Sequence, residues 1–485
     1  MKPYRFHLFP ALMALAFILT SCAAASQQEQ PAGSPLDPKN PVTISIWNYY
    51  NGAQLSSFND LVKKFNETDG KAQGIFVESF SQGSVNDLES NVLAAAQGKV
   101  GAGKIPNIFA AYADTAYAVD RLGLAADLSG YLTEEERAAF VDSYINEGRF
   151  SEDGGIKIFP VAKSTEIFML NKTDWDLFSS ATGASRDDLA TTEGLVRVAE
   201  AYYKWTDSLT PAPNDGRAFF GRDAMANYFL IGAMQLGCEI FTVRDGRLDL
   251  NFDHDVLRTL WDSYYVPYIK GYFASSGRFR SDDIKTGNII ALVGSSSGAT
   301  FFPNQVIVSD TESYPIEVEV FACPRFEGGA PYAVQQGAGM VVTAGGEAEI
   351  AASVQFLKWL TRDENNISFS MTSGYLPVTK SANNVETILR QQGEISGTME
   401  QILRVAVDTV NENTLYTPRA FEKGTSARAI LEYSMSDLAA ADRKTVAGRL
   451  SEGMTLEEAA APFLTDDYFE QWYSETRTSL EALAG

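Results

Sequence analysis

The sequence predicts an α/β protein of two lobes, and three observations carry that prediction. At 485 residues with 45% hydrophobic content, the chain is too long for one simple core and apolar enough to fill two. Its opening segments alternate short apolar strands with amphipathic helices, the pattern of parallel α/β units. The stretch Ile158 to Lys172, IFPVAKSTEIFMLNK, is apolar, then polar at Lys163, Ser164, Thr165 and Glu166, then apolar again. Polar groups inside a buried strand need solvent or a ligand to satisfy them. The stretch therefore reads either as a crossing between lobes through a wet cleft or as an edge strand with an exposed bend.

Residues 1–21 read as an export leader, with Lys2 and Arg5 as its basic start and an apolar run from Leu8 to Leu19. Leu19, Thr20, Ser21 and Cys22 resemble the bacterial lipobox, so Cys22 is expected to carry lipid as the first residue of the mature chain. Ala23 to Pro41 is rich in Ala, Ser, Gln, Gly and Pro without a hydrophobic period. This predicts a disordered tether over 22–41, spanning roughly 20–25 Å. No later run reaches the ~18 apolar residues of a membrane helix, which leaves the lipid as the one expected membrane anchor.

The fold is expected to start at Val42. Val42, Ile44 and Ile46 alternate as a strand ending in Trp47, Asn48, Tyr49 and Tyr50, and Leu55, Phe58, Leu61, Val62 and Phe65 follow at helical spacing. A second strand, Ile75 to Phe80, runs to Gln82, and Ser84 with Asp87 forms a capping box for a helix to Gln97. A third, Ile105 to Ala110, ends at Tyr112 and Asp114. Three strands thus end in Trp47, Gln82, Tyr112 and Asp114, and ligands in open parallel sheets bind beyond the carboxyl ends of strands. Gly98 to Lys104, GKVGAGK, fits the front of a phosphate loop, but Ile105 stands where a Ser or Thr should reach Mg²⁺; it reads as a glycine-rich helix exit.

Beyond the crossing, Thr192 is the expected cap of a helix through Tyr202, and Leu209 to Asp223 is a loop carrying Phe219, Phe220 and Arg222. Helices are expected over Met225 to Leu236 and Val256 to Val266. The strand Ile289 to Val293 runs into Gly294, Ser295, Ser296, Ser297 and Gly298, which is either a polar cradle for an oxygen-rich ligand or a surface turn. In Gln335 to Thr343, Gly337 and Gly339 let backbone approach either a ligand or a neighbouring strand. Glu347 to Thr361 is an amphipathic helix, Gly374 to Val378 a further crossing, and Thr398 to Gly485 mostly helical.

Charge and chemistry narrow the function. Acidic residues outnumber basic ones 62 to 39, for a net charge of -23, and no basic stripe is available to track phosphates, so no nucleic-acid partner is expected. Of two histidines, His7 lies in the leader and His254 at a helix start. There is no HExxH, G-x-S-x-G, CxxC or dinucleotide fingerprint, and neither metal nor cofactor is expected. Paired carboxylates keep a glycoside hydrolase or lyase as an alternative. Cys238 and Cys323 are expected as two buried thiols in different lobes.

The segments TISIWNYYNG, FNDLVKKFNE, IPNIFAAYAD, FPVAKSTEIFMLNK, GNIIALVGSSSGA, GAGMVVT and FLKWLTRDENNISFSMTSGYLPVTKSA, in that order, resemble family 1 of the extracellular solute-binding proteins of bacterial ABC importers. The resemblance implies a two-lobed periplasmic binding protein fold of type II, each lobe a mostly parallel sheet flanked by helices and joined by hinge strands. The lobes would comprise 42–163 with 323–374, and 164–322 with 375–485. It also implies no catalysis, a small-molecule solute, permease subunits as partners and an exported monomer, lipid-anchored to the outer face of the cytoplasmic membrane or in the periplasm. A non-transport surface lipoprotein is the other alternative.

Within the family, the SSSG turn, GYLPVTKSA and a late arginine resemble the branch that takes glycerol 3-phosphate and its diesters. By that resemblance Ser164 is a hydroxyl donor, Ser295 or Ser296 and Gly337 meet phosphate, Tyr375 hydrogen-bonds, Arg419 pairs with phosphate and Phe219 replaces a stacking tryptophan. Arg222 stands in place of a second tryptophan, Val85 in place of a tyrosine, and Asp114 one place from an acidic residue. The expected ligand set is Trp47, Tyr50, Gln82, Asp114, Ser164, Glu166, Phe219, Arg222, Ser295, Ser296, Gly337, Tyr375 and Arg419, around a saccharide or polyol phosphate.

Overall fold

The structure, a computed structural model, describes residues 35–484 apart from 151–153, 245–246 and 393–394. The leader and Cys22 lie outside the described residues. Leu36 is already buried in the first core, and Gly74 packs on the Asp37 backbone. The fold therefore begins inside the expected tether, because Leu36 finds an apolar site before Val42 does.

In chain order the first lobe is built from β1 (Val42–Asn48), α1 (Gly52–Glu67), β2 (Ile75–Ser81), α2 (Val85–Ala96), β3 (Ile108–Ala111) and α3 (Ala113–Arg121). Past the crossing come β4 (Glu166–Asn171), β5 (Phe220–Arg222), α4 (Met225–Gln235), α5 (His254–Ile269), β6 (Ala291–Ser295) and β7 (Val318–Ala322). The chain returns through β8 (Tyr332–Val334) to β9 (Gly339–Val342), α6 (Glu347–Leu360) and α7 (Asp363–Ser373). It crosses again to α8 (Gly397–Glu412), β10 (Thr414–Tyr416), α9 (Gly424–Ser451) and α10 (Asp466–Ala484).

The first sheet has the order β9-β3-β1-β2, parallel except for β9 against β3. Helix α1 turns Phe58, Leu61, Val62 and Phe65 inward, as their spacing predicts, and packs on α6 and α7. Ser84 and Asp87 form the expected capping box of α2. The second sheet, β7-β4-β6-β5, is mixed rather than mostly parallel. Strand β4 leaves the crossing while β6 and β7 both run back toward it, placing Ser295 opposite Glu166 and Ala322 opposite Ile167.

Strand β4 is buried on both faces, which is why its apolar run is unbroken. Ile167 and Met169 join the core that continues from the first lobe to the face covered by α8, whereas Phe168 and Leu170 join a second core beneath α4, α5, α9 and α10. Period-two alternation also sends Glu166 to the second side, and Phe220 and Arg222 share it on β5.

Local expectations are revised in three places. The expected loop Leu209 to Asp223 contains β5, because Phe220–Arg222 pairs with β6. Thr191, not Thr192, caps the helix Thr192–Asp207, its side chain accepting from the Gly194 N–H. Cys238 and Cys323 are free thiols packed on the same second core, because Cys323 directly follows β7 of the second sheet. The glycines after α2 form the helix exit read from the sequence, Gly98 and Gly101 taking φ of 62° and 86°.

Candidate functional site

The polar interruption at the crossing is satisfied mainly by the protein itself. Lys163, fully buried, donates to the Glu147 carboxylate and, at 2.6 Å, to the Gly337 carbonyl; Gln335 Nε2 donates to the same carboxylate at 2.8 Å. Thr165 Oγ1 donates to the Val334 carbonyl at 2.9 Å, and Ser164 and Gln336 exchange backbone hydrogen bonds at 3.0 and 2.9 Å. The demand for solvent or ligand is thus largely met by the returning strand. Gly337 has φ +89°, and a β-carbon there would stand 2.6 Å from the Ala162 carbonyl, so its glycine serves strand against strand. Around the crossing, Ser296 Oγ, Gln336 Oε1 and Arg222 Nε are buried without a hydrogen bond among the described residues.

Beside the crossing the lobes meet in a polar seam. Tyr49, just past β1, shares a 3.1 Å hydroxyl contact with Tyr375 at the last crossing, and Tyr375 also bonds Ser297. Ser297 Oγ lies 2.9 Å from Ser295 Oγ, and Gln54 Nε2 of α1 donates to the Ser373 and Ser297 carbonyls at 3.1 and 3.4 Å. Burial, reinforced by neighbouring groups, pushes the hydroxyl pKa values of Tyr49 and Tyr112 well up. Tyr112 stands among Tyr375, Arg428, Glu89 and Glu147.

Asp114, in the first turn of α3, accepts the backbone N–H of Phe421 just ahead of α9. Burial raises its carboxyl to about 6, outweighing the attraction of Arg428, with Glu89 and Glu147 adding to the rise. Glu89 is likewise raised by burial, against the opposing Thr115 hydroxyl and Arg428.

On the second-lobe side a continuous polar chain begins at Arg428. Its Nη2 donates to Asn227 Oδ1 at 2.5 Å, Asn227 Nδ2 donates to Glu166 Oε1 at 2.8 Å, and Arg222 Nη2 donates to Glu166 Oε2 at 2.7 Å. The Arg222 guanidinium lies 5.2 Å from the centre of the Tyr228 ring. Strand register puts Glu166 and Arg222 on one face, and α4 lays Asn227 and Tyr228 across it.

Of the residues expected from the sequence, the crossing gathers Ser164, Glu166, Arg222, Ser295, Ser296, Gly337 and Tyr375, and Asp114 reaches the seam from the other lobe. Trp47 is half-buried at the end of β1, while Gln82 lies past β2, accepting from Asn91 at 3.1 Å. Three fall elsewhere. Tyr50 is packed behind Tyr49 against Phe58 and Phe369. Phe219 is wholly buried between Trp175 and Tyr202, so its ring is core and not a free stacking face. Arg419 is exposed and, among the described residues, donates to the Arg149 carbonyl alone, at 3.5 Å.

Tyr49, Glu89, Asn227 and Arg428 were not singled out by the sequence. Tyr49 adjoins the strand end already marked by Trp47. Arg428 carries no local signal beyond lying one helical turn after Gly424, and it reaches the seam only because α9 aims its first turn there.

Two α/β lobes, crossing strands and a polar seam supplied from both sides define a two-lobed binding protein. The chain belongs to the bacterial extracellular solute-binding proteins, whose family model matches residues 60–392. It is therefore an exported solute-binding protein and not an enzyme. Among curated protein sequences none matches. Among solved structures it resembles a cyclic alpha-maltosyl-1,6-maltose binding protein from Arthrobacter globiformis, with TM-score 0.67, 16% identity, and coverage of 92% of this chain and 99% of that one. The GacH receptor of Streptomyces glaucescens, solved unliganded and with acarbose, gives 0.64 at 15% identity, covering 90% and 98%. UgpB from Mycobacterium tuberculosis, in complex with glycerophosphocholine, gives 0.63 at 17% identity, covering 92% and 100%. Among the described residues no helix is long and apolar enough to cross a membrane.

Proposed function

We propose that this chain is the solute-binding component of an ABC import system and captures a saccharide between its lobes by hinge closure. The observation that carries the reading is the seam itself: Tyr49, Tyr112, Glu89 and Asp114 from the first lobe face Arg428 and the Ser295 to Ser297 turn of the second. Two carboxylates against one arginine, itself bonded to Asn227, disfavour a phosphate dianion and suit sugar hydroxyls. Structural neighbours that bind a maltosyl sugar and acarbose support the class. Solute touching both lobes stabilises the closed arrangement over the open one, and that difference drives closure.

A second reading, a polyol phosphate such as glycerol 3-phosphate, draws on the unpartnered Ser296 Oγ beside the crossing and on Arg428 as the cation. In either reading the proposed contacts are Ser164, Glu166, Ser295, Ser296 and Tyr375 at the crossing and Asp114 opposite. Cys22 would hold a monomer to the outer face of the membrane by its lipid, near its permease subunits.

A thermal-shift screen of the leaderless chain against maltooligosaccharides, glycerol 3-phosphate and sugar phosphates tests this. A solute at a hundredfold excess over its dissociation constant adds roughly 2.7 kcal/mol of stability. Shifts with neutral sugars support the first reading, and shifts with phosphorylated compounds alone replace it by the second. A folded protein that responds to none of them overturns both.

A further inference from the structure

At the end of the second lobe away from the crossing lies a recess of about 620 Å³, within the range of small-molecule sites. Strand β4 starts at Glu166 in the crossing and ends at Asn171, so its length puts roughly 17 Å between the crossing and the recess. No residue of the crossing or of the seam lines it. Two helices supply most of its polar wall. Asp174 and Leu177 lie three residues apart on Lys172–Thr182, and Tyr202 and Trp205 likewise on Thr192–Asp207, so each pair shares one helix face. The segment 209–217 is tied to the second helix, the Arg217 N–H donating to Thr206 Oγ1 at 2.8 Å and the Asp215 N–H to Asp207 Oδ1 at 2.7 Å.

This wall keeps unused polar groups that reach solvent. Asp174 Oδ2 accepts from the Tyr314 hydroxyl at 2.8 Å and from Asn171 Nδ2 at 2.7 Å. Asp174 Oδ1, the Tyr202 hydroxyl and Trp205 Nε1 have no hydrogen bond among the described residues, and none of the three is sealed off as Trp175 Nε1 is. Only 4% of Tyr202 is exposed, and its hydroxyl belongs to that small part. Arg217 is exposed and has no ion pair among the described residues, yet its charge reaches both neighbours. Burial raises the Asp174 carboxyl and the Tyr202 hydroxyl, and Arg217 opposes both shifts.

The recess thus offers a free carboxylate oxygen, a guanidinium, a phenol and an indole N–H, with the exposed Leu177 and Leu209 in its lining. A cation there meets Arg217, and an anion meets Asp174 and Asp215, so the charges disfavour both. A sugar suits the set: its hydroxyls donate to the carboxylate and accept from the guanidinium, while its C–H side packs on aromatic carbon. We propose that this recess is a second sugar site, separate from the seam, in which one neutral sugar unit, free or at the end of a chain, bonds Asp174 Oδ1 and Arg217 and lies against Trp205 and Tyr202. The site does not depend on which solute the seam takes.

Fluorine NMR of the leaderless chain labelled with 5-fluorotryptophan tests it. The chain has six tryptophans; Trp205→Phe assigns the signal of the recess, and Trp47→Phe that of the first strand end beside the seam. The probes are the methyl glycosides of glucose, galactose, mannose and xylose, maltotriose, and alanine as a zwitterion. At least one sugar is expected to shift the Trp205 signal saturably where alanine does not, and the shift is expected to persist in Arg428→Ala. Asp174→Asn with Arg217→Ala should weaken that binding about tenfold or more. If the pair prevents folding, Arg217→Ala alone, at an exposed position, should weaken it severalfold. Methyl glucoside binding as tightly as maltotriose marks a free sugar as the ligand, and weaker binding marks a chain end; both uphold the site. No saturable shift with any sugar, an equal shift with alanine, a shift lost in Arg428→Ala, or one untouched by the Arg217 change would overturn it. The Trp47 signal scores the seam separately, so failure of either site is seen without the other.

Discussion

Asp114 and Gly424 meet across the two lobes so closely that a β-carbon on Gly424 would stand 2.2 Å from the Asp114 carboxylate. The first turn of a 28-residue helix in one lobe is thereby seated on an acid of the other. Gly424→Ala is expected to hold the lobes apart and weaken solute binding about tenfold, or ~1.4 kcal/mol. Titration calorimetry with small-angle scattering reads both effects. Unchanged affinity would mean that bound protein does not use this contact.

The same acid is expected to make the proposed capture depend on pH. Burial in the seam raises the Asp114 carboxyl from an ordinary 3.8 to about 6, so closure that buries it is expected to take up a proton. Above that value the ionised carboxylate opposes closure; the opposition fades as pH falls through about 6 and is gone below the ordinary value. Glu89, raised by the same burial, acts in the same direction. Solute affinity is expected to rise from about pH 7 to about pH 5 and to lose most of this slope in Asp114→Asn. An opposite slope would show that Arg428 outweighs desolvation.

At the crossing, Lys163 and Glu147 form a buried ion pair. Lys163→Met leaves the carboxylate with only the Gln335 amide, and is expected to cost about 3–5 kcal/mol in urea unfolding. Adding Glu147→Gln should recover much of that loss. Failure to recover would place the contribution of Lys163 in packing.

The two late arginines separate cleanly. Arg419 is exposed, and Arg419→Ala is expected to stay within about 0.5 kcal/mol in both stability and solute affinity. Arg428→Ala should weaken solute binding clearly, since its guanidinium is the cation of the seam. Equal losses in calorimetry would remove that distinction.

Phe219→Ala is expected to cost about 3–5 kcal/mol of stability through the cavity it leaves, with solute affinity retained in protein that remains folded. A selective loss of affinity would restore its ring to the solute.

How much of this was legible in the sequence follows from range. Elements set by neighbours along the chain were readable: the capping box at Ser84, the inward face of α1, and the strand ends at Trp47, Tyr112 and Asp114. Glu166 and Arg222 were visible as polar groups in apolar surroundings. Their pairing was not, since it depends on β4 and β5 flanking β6 and on α4 crossing the same face. Arg419 looks as good as Arg428 in sequence; only packing tells which guanidinium lies beside Glu89 and Asp114.

The sequence by itself determined the α/β class, the two-lobed fold and the family, because periodicity, capping and the order of segments are properties of the linear chain. Tertiary structure alone decided that the second sheet is mixed, that the polar residues of the crossing are largely answered from within, and that Asp114 meets α9. Each of these rests on contacts between segments distant in the chain, such as Lys163 with Gly337, 174 residues on, whose free energy depends on distance and burial in the folded state and leaves no local trace in the residues themselves.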